Sequence, residues 1–219
     1  MLKVIIPGFP RSGTSFLAGL IVRMGFNPGP EDWLKTSDTN NPFGYYECMP
    51  LFKISRKILE TFGGDFFKNI PDLPHGWMNE LEAEKQQILN IVHSGNVEIF
   101  KDGPMLIIAD LYHELFPDSK WIVIRRDINE TFKSRFGSPI TFEEWEEITE
   151  TRWRKWQQTH PFSKALHLDY KDFSVDFSGT IEKISSFLGI QLTSQQIKEC
   201  KDFFKPGERK KVIDRGTIK

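Results

Sequence analysis

Eight residues near the start leave this chain little freedom of fold. Gly8-Phe9-Pro10-Arg11-Ser12-Gly13-Thr14-Ser15 lies between a short β-branched run, Leu2 to Pro7, and a helical pattern from Thr14 to Met24 that Gly25 can cap. Strand, tight loop and helix follow in that order. The glycines have the spacing of the phosphate loop G-x-x-x-x-G-K-[ST], with Thr14 in the place of the lysine. N–H groups curled around an anion at a helix N-terminus still bind one phosphate. The lysine that would neutralise β- and γ-phosphates is gone, and no strand end offers a clear aspartate for magnesium. Arg11 puts a fixed, bidentate charge inside the loop instead, which suits an anion next to a single 5′-phosphate better than a triphosphate with its metal.

The remainder alternates between helix and strand. Leu51 to Phe62 reads as a helix stopped by Gly63 and Gly64, and Asn79 as the cap of another running to about His93. Val97 to Phe100 is a buried-strand candidate, Met105 to Phe116 a helix with Pro104 in its first turn, and Lys120 to Arg125 (KWIVIR) the clearest interior strand. Asp127 with Glu130 and Thr141 with Glu144 have capping-box spacing, and Ala165 to Leu168 is a last short strand before two C-terminal helices. Such alternation implies an α/β domain with a mainly parallel sheet; with no repeat or linker, residues 1–219 are expected to form one domain. Ligands of these sheets bind beyond the carboxyl ends of the strands, which selects Gly8 to Ser15, Lys101 to Pro104 and Arg125 to Asp127.

Composition narrows the classes. A chain of 219 residues should bury roughly 70% of its unfolded surface without staples. The 29 basic side chains nearly cancel the 30 acidic ones, so the net charge of -1 offers no global field for nucleic acid or an anionic membrane. Cys48 and Cys200 lie outside any CxxC and the five histidines form no HxxxH or HExxH, which argues against a disulfide framework and against a metal enzyme. The apolar run Phe16 to Val22 is far short of the ~20 residues that cross a bilayer. With no secretion signal at the start, a soluble cytoplasmic protein is the expectation.

Pro10-Arg11-Ser12-Gly13-Thr14-Ser15 resembles, at every position, the P-[KR]-S-G-T-[ST] loop of the sulfotransferases that use 3′-phosphoadenosine 5′-phosphosulfate (PAPS). The resemblance implies that the loop amides hold the 5′-phosphate and that Arg11 stabilises charge on the oxygen bridging phosphorus and sulfur. A second match follows KWIVIR. The family's 3′-phosphate site pairs an arginine at the end of an interior strand with a serine eight residues on, and Arg126 and Ser134 have that spacing. Two helical turns set Ser134 on about the same face as the helix start. Arg125, on the opposite face of the strand, reads as a structural ion-pair partner. Two anion sites on neighbouring strand ends fit a 3′,5′-bisphosphate and fit a plain nucleoside triphosphate poorly. Tyr170, in Leu168-Asp169-Tyr170-Lys171-Asp172, sits like the family's adenine-contacting tyrosine, or is a core ring. Arg209-Lys210-Lys211 resembles the family's basic C-terminal loop over the 3′-phosphate, or is a solvated run; the R-K-G-x-x-G-x-W form is absent.

Sulfuryl transfer needs an acceptor hydroxyl lined up behind sulfur, a base for its proton, and cations for the charge moving onto the leaving phosphate. Cytosolic animal members take the proton with a histidine two residues after a strand-end lysine, but Lys101 is followed by Asp102-Gly103-Pro104. The departure points to branches that use a glutamate, among them those acting on sugars, tyrosyl proteins and bacterial metabolites. Glu47, in Asn40-Asn41-Pro42-Phe43-Gly44-Tyr45-Tyr46-Glu47, resembles the N-P-x-G-[FY]-x-E segment of bacterial relatives. It is the candidate base, or a solvated loop carboxylate, and needs partial burial among Phe43, Tyr45 and Tyr46 to act. Asp102 is the runner-up, or a helix cap beside Pro104. Lys101 is placed to reach the bridging or sulfuryl oxygens, or is a surface lysine.

Trp33, Phe43, Tyr45, Phe66, Phe67 and Trp77 are loop aromatics that suit a sugar ring, phenol or alkyl alcohol. Phe142, Trp145, Trp153 and Trp156 have core spacing, and Glu143 to Glu150 reads as a solvated acidic face. The resemblance implies a three-layer α/β fold with a central parallel sheet of four or five strands, related to the P-loop nucleotide kinases. It implies a PAPS-dependent, metal-free transfer to a small-molecule or carbohydrate hydroxyl, with adenosine 3′,5′-bisphosphate as product. A small-molecule kinase with a divergent loop and a catalytically silent nucleotide-binding protein are the competing readings.

Overall fold

The computed structural model describes residues 2–38, 41–65, 69–134 and 140–204. In chain order these form β1 (Val4–Pro7), α1 (Thr14–Arg23), α2 (Met49–Thr61), α3 (Glu82–Ser94), β2 (Ile99–Asp102), α4 (Ala109–Leu115) and β3 (Lys120–Arg125). There follow α5 (Ile128–Lys133), α6 (Phe142–Gln157), β4 (Leu166–Asp169), α7 (Asp172–Val175), α8 (Phe177–Leu188) and α9 (Ser194–Phe203). The sheet is parallel throughout, in the order β2-β1-β3-β4, so the described residues supply four strands. Pro7 lies opposite Asp102 and Arg125 opposite Asp169, which brings the carboxyl ends of the strands to one edge.

The strands read as unbroken apolar runs because both faces of the sheet are covered. Successive side chains alternate: Val4 and Ile6 of β1 and Ile122 and Ile124 of β3 pack toward α1, α8 and α9, while Ile5, Trp121 and Val123 pack toward α2, α3, α4 and α6. On the first side Leu17, Leu20 and Ile21 meet Ile184, Leu188 and Phe203; on the second Leu51, Ile88, Tyr112 and Trp156 close the layer. Each such buried aliphatic contributes about 1.5–3 kcal/mol, so the layers clamp the sheet and fix its strand ends relative to one another.

Several helix boundaries differ from expectation for local reasons. Asn79 does not cap α3. Gly76, at φ 74°, turns the chain into a 3-10 turn over Trp77–Glu80, and the helix starts only after Leu81 has entered the core. The expected helix from Met105 divides into a 3-10 turn, Pro104–Leu106, and α4; the Asp102 carboxylate ties down the Met105 N–H at 2.6 Å and tightens that start. Thr141 and Glu144 form a full capping box. Asp127 makes only half of one: it accepts from Asn129 and Glu130 N–H, but the Glu130 carboxylate turns to Arg126. The C-terminal region has three described helices instead of two, because Asp176 caps α8 separately from the short α7. Among the described residues no helix is long and apolar enough to cross a membrane.

Candidate active site

The loop after β1 is shaped by close approach. The Gly8 N–H donates to the Asp102 carbonyl at 2.9 Å, and a Cβ on Gly8 would fall 2.6 Å from that oxygen, so glycine lets the ends of β1 and β2 close together. Gly13, at φ 101°, begins α1, and a Cβ there would lie 2.5 Å from the Tyr170 ring. No side chain caps this helix start. The Ser12 hydroxyl donates instead to the Phe9 carbonyl at 2.9 Å and holds the curl of the loop. Free N–H groups at the positive end of a ten-residue helix are a ready anion site.

Gly13, Thr14 and Ser15 line a cavity of about 290 Å³ beyond the strand ends. The chain runs from β1 to β2 on one side and from β2 across to β3 on the other, the switch point where α/β sheets bind ligands. Arg126 and Tyr170 line it from the ends of β3 and β4, Lys101 from β2, Tyr45 and Glu47 from the loop before α2, Phe52 from α2 and Arg152 from α6. Arg11, Lys35, Lys101, Arg126 and Arg152 give it five cationic side chains, against Glu47 as the carboxylate among its described lining residues.

Glu47 is not a solvated loop residue; its side chain is 12% exposed. One carboxylate oxygen accepts from Lys101 Nζ at 2.6 Å, and the other lies 3.5 Å from Lys35 Nζ. Lys101, 5% exposed at its side chain, also donates to Ser15 Oγ at 3.2 Å, which links the base candidate to the phosphate loop through one ammonium. Backbone pairing sets this up: Lys35 N–H donates to the Glu47 carbonyl at 2.9 Å, beside a bridge between Leu34 and Cys48. Tyr45 donates to the Asp38 carboxylate at 2.9 Å, and burial together with that carboxylate pushes its phenol up to about 12. The Lys35 ammonium lies 3.9 Å over the Tyr45 ring.

At the other end, Arg126 donates through Nε to Glu130 at 2.7 Å and lies 4.9 Å over the Tyr170 ring. Burial, reinforced by the charge of Arg126, lowers the pKa of the Arg11 guanidinium, while Tyr45 and Asp38 act in the opposite sense. Tyr170 meets Phe16 edge-on as well as lining the cavity, so it is both core ring and wall. Burial pushes the Asp102 carboxyl up to about 7, against the Met105 N–H that favours its ionised form. Its carboxyl faces the core beside the Ser55 and Tyr112 hydroxyls, which donate one to the other at 2.9 Å, and it is a cap and not a wall of the cavity.

The fold thus gathers Pro10, Arg11, Gly13, Thr14, Ser15, Glu47, Lys101, Arg126 and Tyr170 around one space. Ser12 and Ser134 stand behind it. Because α5 ends at Lys133, Ser134 is its C-cap, buried, with its hydroxyl on the Thr131 carbonyl at 2.9 Å. Arg125 is not in an ion pair among the described residues; it lies 4.1 Å over the Trp153 ring. Trp33 packs on Gly95, and Trp77 meets Phe62 at 5.9 Å, so neither joins Phe43 and Tyr45 at the cavity. Arg209, Lys210, Lys211, Phe66 and Phe67 lie outside the described residues.

Sequence reasoning missed Lys35, Phe52 and Arg152. Lys35 and Phe52 carry no signal of their own, but Arg152 does: it shares the buried side of α6 with Trp145 and Trp156, an arginine at a core position.

A model of the sulfotransferase family matches residues 3–194. The chain belongs to that family. A search of curated protein sequences found no match. Among solved structures, this sulfotransferase is similar to STF1 from Mycobacterium tuberculosis H37Rv, with TM-score 0.59 and 13% identity over 99% of this chain and 76% of that one. It is also similar to the sulfotransferase domain of the Synechococcus PCC 7002 olefin synthase, with TM-score 0.54 and 16% identity over 100% of this chain and 88% of that one. At such identities the likeness is one of fold.

Proposed function

We propose that this sulfotransferase moves a sulfuryl group from PAPS to a hydroxyl of a small-molecule or carbohydrate acceptor and releases adenosine 3′,5′-bisphosphate. One observation carries the reading: a buried lysine, Lys101, joins the hydroxyl of Ser15 in the anion-binding loop to the carboxylate of Glu47 inside a single cavity. The residues fit the donor. The uncapped start of α1 and Arg11 suit the 5′-phosphosulfate, Arg126 suits the 3′-phosphate, and the Tyr170 ring beside Arg126 suits adenine.

In the reaction, Glu47 accepts the proton of the acceptor hydroxyl as that oxygen bonds to sulfur. The bond between sulfur and the bridging oxygen breaks, and its electron pair stays on the phosphate. Arg11 and Lys101 stabilise that charge, in a site where burial strengthens each interaction. Cys48 and Cys200 are buried free thiols, which supports a reducing, cytoplasmic setting.

The test is transfer of labelled sulfate from PAPS to sugars, phenols and alcohols. Label should appear in at least one acceptor class, and Glu47→Gln should cut turnover about 10²-fold or more. Undiminished turnover in that variant overturns the role of Glu47.

A further inference from the structure

We propose that Tyr46 is the positioning residue of Glu47: its ring, seated on α1, holds the base at a fixed place relative to the phosphate loop. The inference rests on Glu47 as the base and adds what holds it there. Among the described residues, Arg11, Tyr46 and Asn96 are the non-glycine residues with positive φ. Arg11 belongs to the phosphate loop, and Asn96, between α3 and β2, is of a type that tolerates this backbone. Tyr46, at φ 54°, stands directly before Glu47. A glycine would take the same turn without strain, so the turn alone gives no reason for a ring.

The ring has a seat of its own. Tyr45 and Glu47 on either side line the cavity, whereas Tyr46 packs against the apolar layer of α1, α8 and α9. A Cβ on Gly19 would fall 3.0 Å from the Tyr46 ring and 2.5 Å from that of Phe203, so the bare backbone of α1 at Gly19 admits both. Arg23, one turn on, donates to the Gly19 carbonyl at 2.8 Å, lies 3.7 Å over the Phe203 ring and reaches the Tyr46 hydroxyl at 3.4 Å. The helix α1 begins with Thr14 and Ser15 of the anion-binding loop, and Gly19 is one turn past Ser15. The base and the phosphate loop are thereby tied to one rigid element. Elsewhere Glu47 is held by Lys101, at 2.6 Å from its carboxylate, and by the Lys35 N–H, which donates to its carbonyl at 2.9 Å. Removal of the ring leaves the turn and these two contacts, without the tie to α1.

Tyr46→Gly keeps the turn and removes the ring. For an acceptor that takes label, kcat should fall at least about tenfold, the cost of a misplaced base, while bisphosphate affinity in calorimetry changes less than about twofold. Unchanged kcat, or an equal fall in affinity, overturns the proposal. Tyr46→Phe loses only the long hydroxyl contact, so its turnover should stay within about threefold of the wild type; a loss as large as that of Tyr46→Gly overturns the seating of the ring. The Glu47→Gln background separates positioning from a purely structural role. There Tyr46→Gly should cost less than about twofold more, because the group it positions is gone, and an equal loss in both backgrounds overturns the proposal. Exchange of the Lys35 amide reads the same tie without turnover: it should be at least about tenfold faster in Tyr46→Gly, and unchanged protection overturns the anchor. Tyr46→Asn, which also tolerates the turn, takes the place of the glycine variant should that one not fold. If Glu47→Gln itself retains full turnover, the base reading falls separately, and the exchange comparison still decides whether Tyr46 holds the loop.

Discussion

The two ends of the cavity are built by different means. At the proposed donor end the helix start is backbone, supplied by eight consecutive residues whose shape follows from β1, α1 and two close approaches at Gly8 and Gly13, with the Arg11 and Arg126 side chains beside it. At the other end the lining is side chain: Lys35, Glu47, Phe52 and Arg152, with Lys101 between the two ends, arrive from separate segments and meet because the Leu34–Cys48 bridge, β2, α2 and α6 bring them together. A backbone site tolerates changes that keep the turn and fails when a Cβ is added. A side-chain site changes ligand with single substitutions.

The largest expected effect separates the two ends most sharply. Glu47→Gln should lower kcat about 10²-fold or more while bisphosphate affinity changes less than about twofold; a parallel fall in affinity would show the ends to be one site. Arg126→Ala should do the reverse, weakening bisphosphate binding by about 2 kcal/mol, or roughly 30-fold, in calorimetry. Retained affinity would remove Arg126 from the donor end.

Beneath both ends lies Asp102. Its carboxyl titrates at about 7 in the folded protein against 3.8 in the ordinary group, so the folded state holds the extra proton between those values. Stability should therefore fall as pH rises from about 4 to about 7 and level off above. Asp102→Asn keeps an acceptor for the Met105 N–H and cannot ionise, so its urea midpoint should vary less over that window. Identical slopes for the two proteins would contradict the buried charge. The smallest effect belongs to Lys35→Ala: a half-exposed ammonium 3.5 Å from Glu47 contributes at most about 1 kcal/mol, so turnover should drop only a few-fold. A loss as large as that of Glu47→Gln would make Lys35 part of the chemistry.

What the sequence displayed follows the same division. The run KWIVIR, the apolar strand before Gly8 and the loop itself are local patterns, and each falls where expected because covered parallel strands and helix starts are encoded by neighbours in the chain. Arg126, one residue past β3, is legible for the same reason. For Ser134 the eight-residue spacing assumed a helix that continues, whereas α5 stops at Lys133 and the Ser134 hydroxyl, at its C-cap, donates to the Thr131 carbonyl. The α3 start at Asn79 failed because a turn at Gly76 and the burial of Leu81 outweighed a good cap. Trp33 looked available for a ligand until the fold covered Gly95 with it. Glu47 was singled out through a segment pattern, but its contact with Lys101 spans 54 positions and has no sequence signal.

Binding of adenosine 3′,5′-bisphosphate in metal-free buffer, compared by calorimetry with binding of ATP and magnesium, tests the donor end most directly. The cavity described above predicts saturable bisphosphate binding without a divalent ion, tighter than that of ATP with magnesium and lost in Arg126→Ala. ATP with magnesium binding more tightly than the bisphosphate would contradict it.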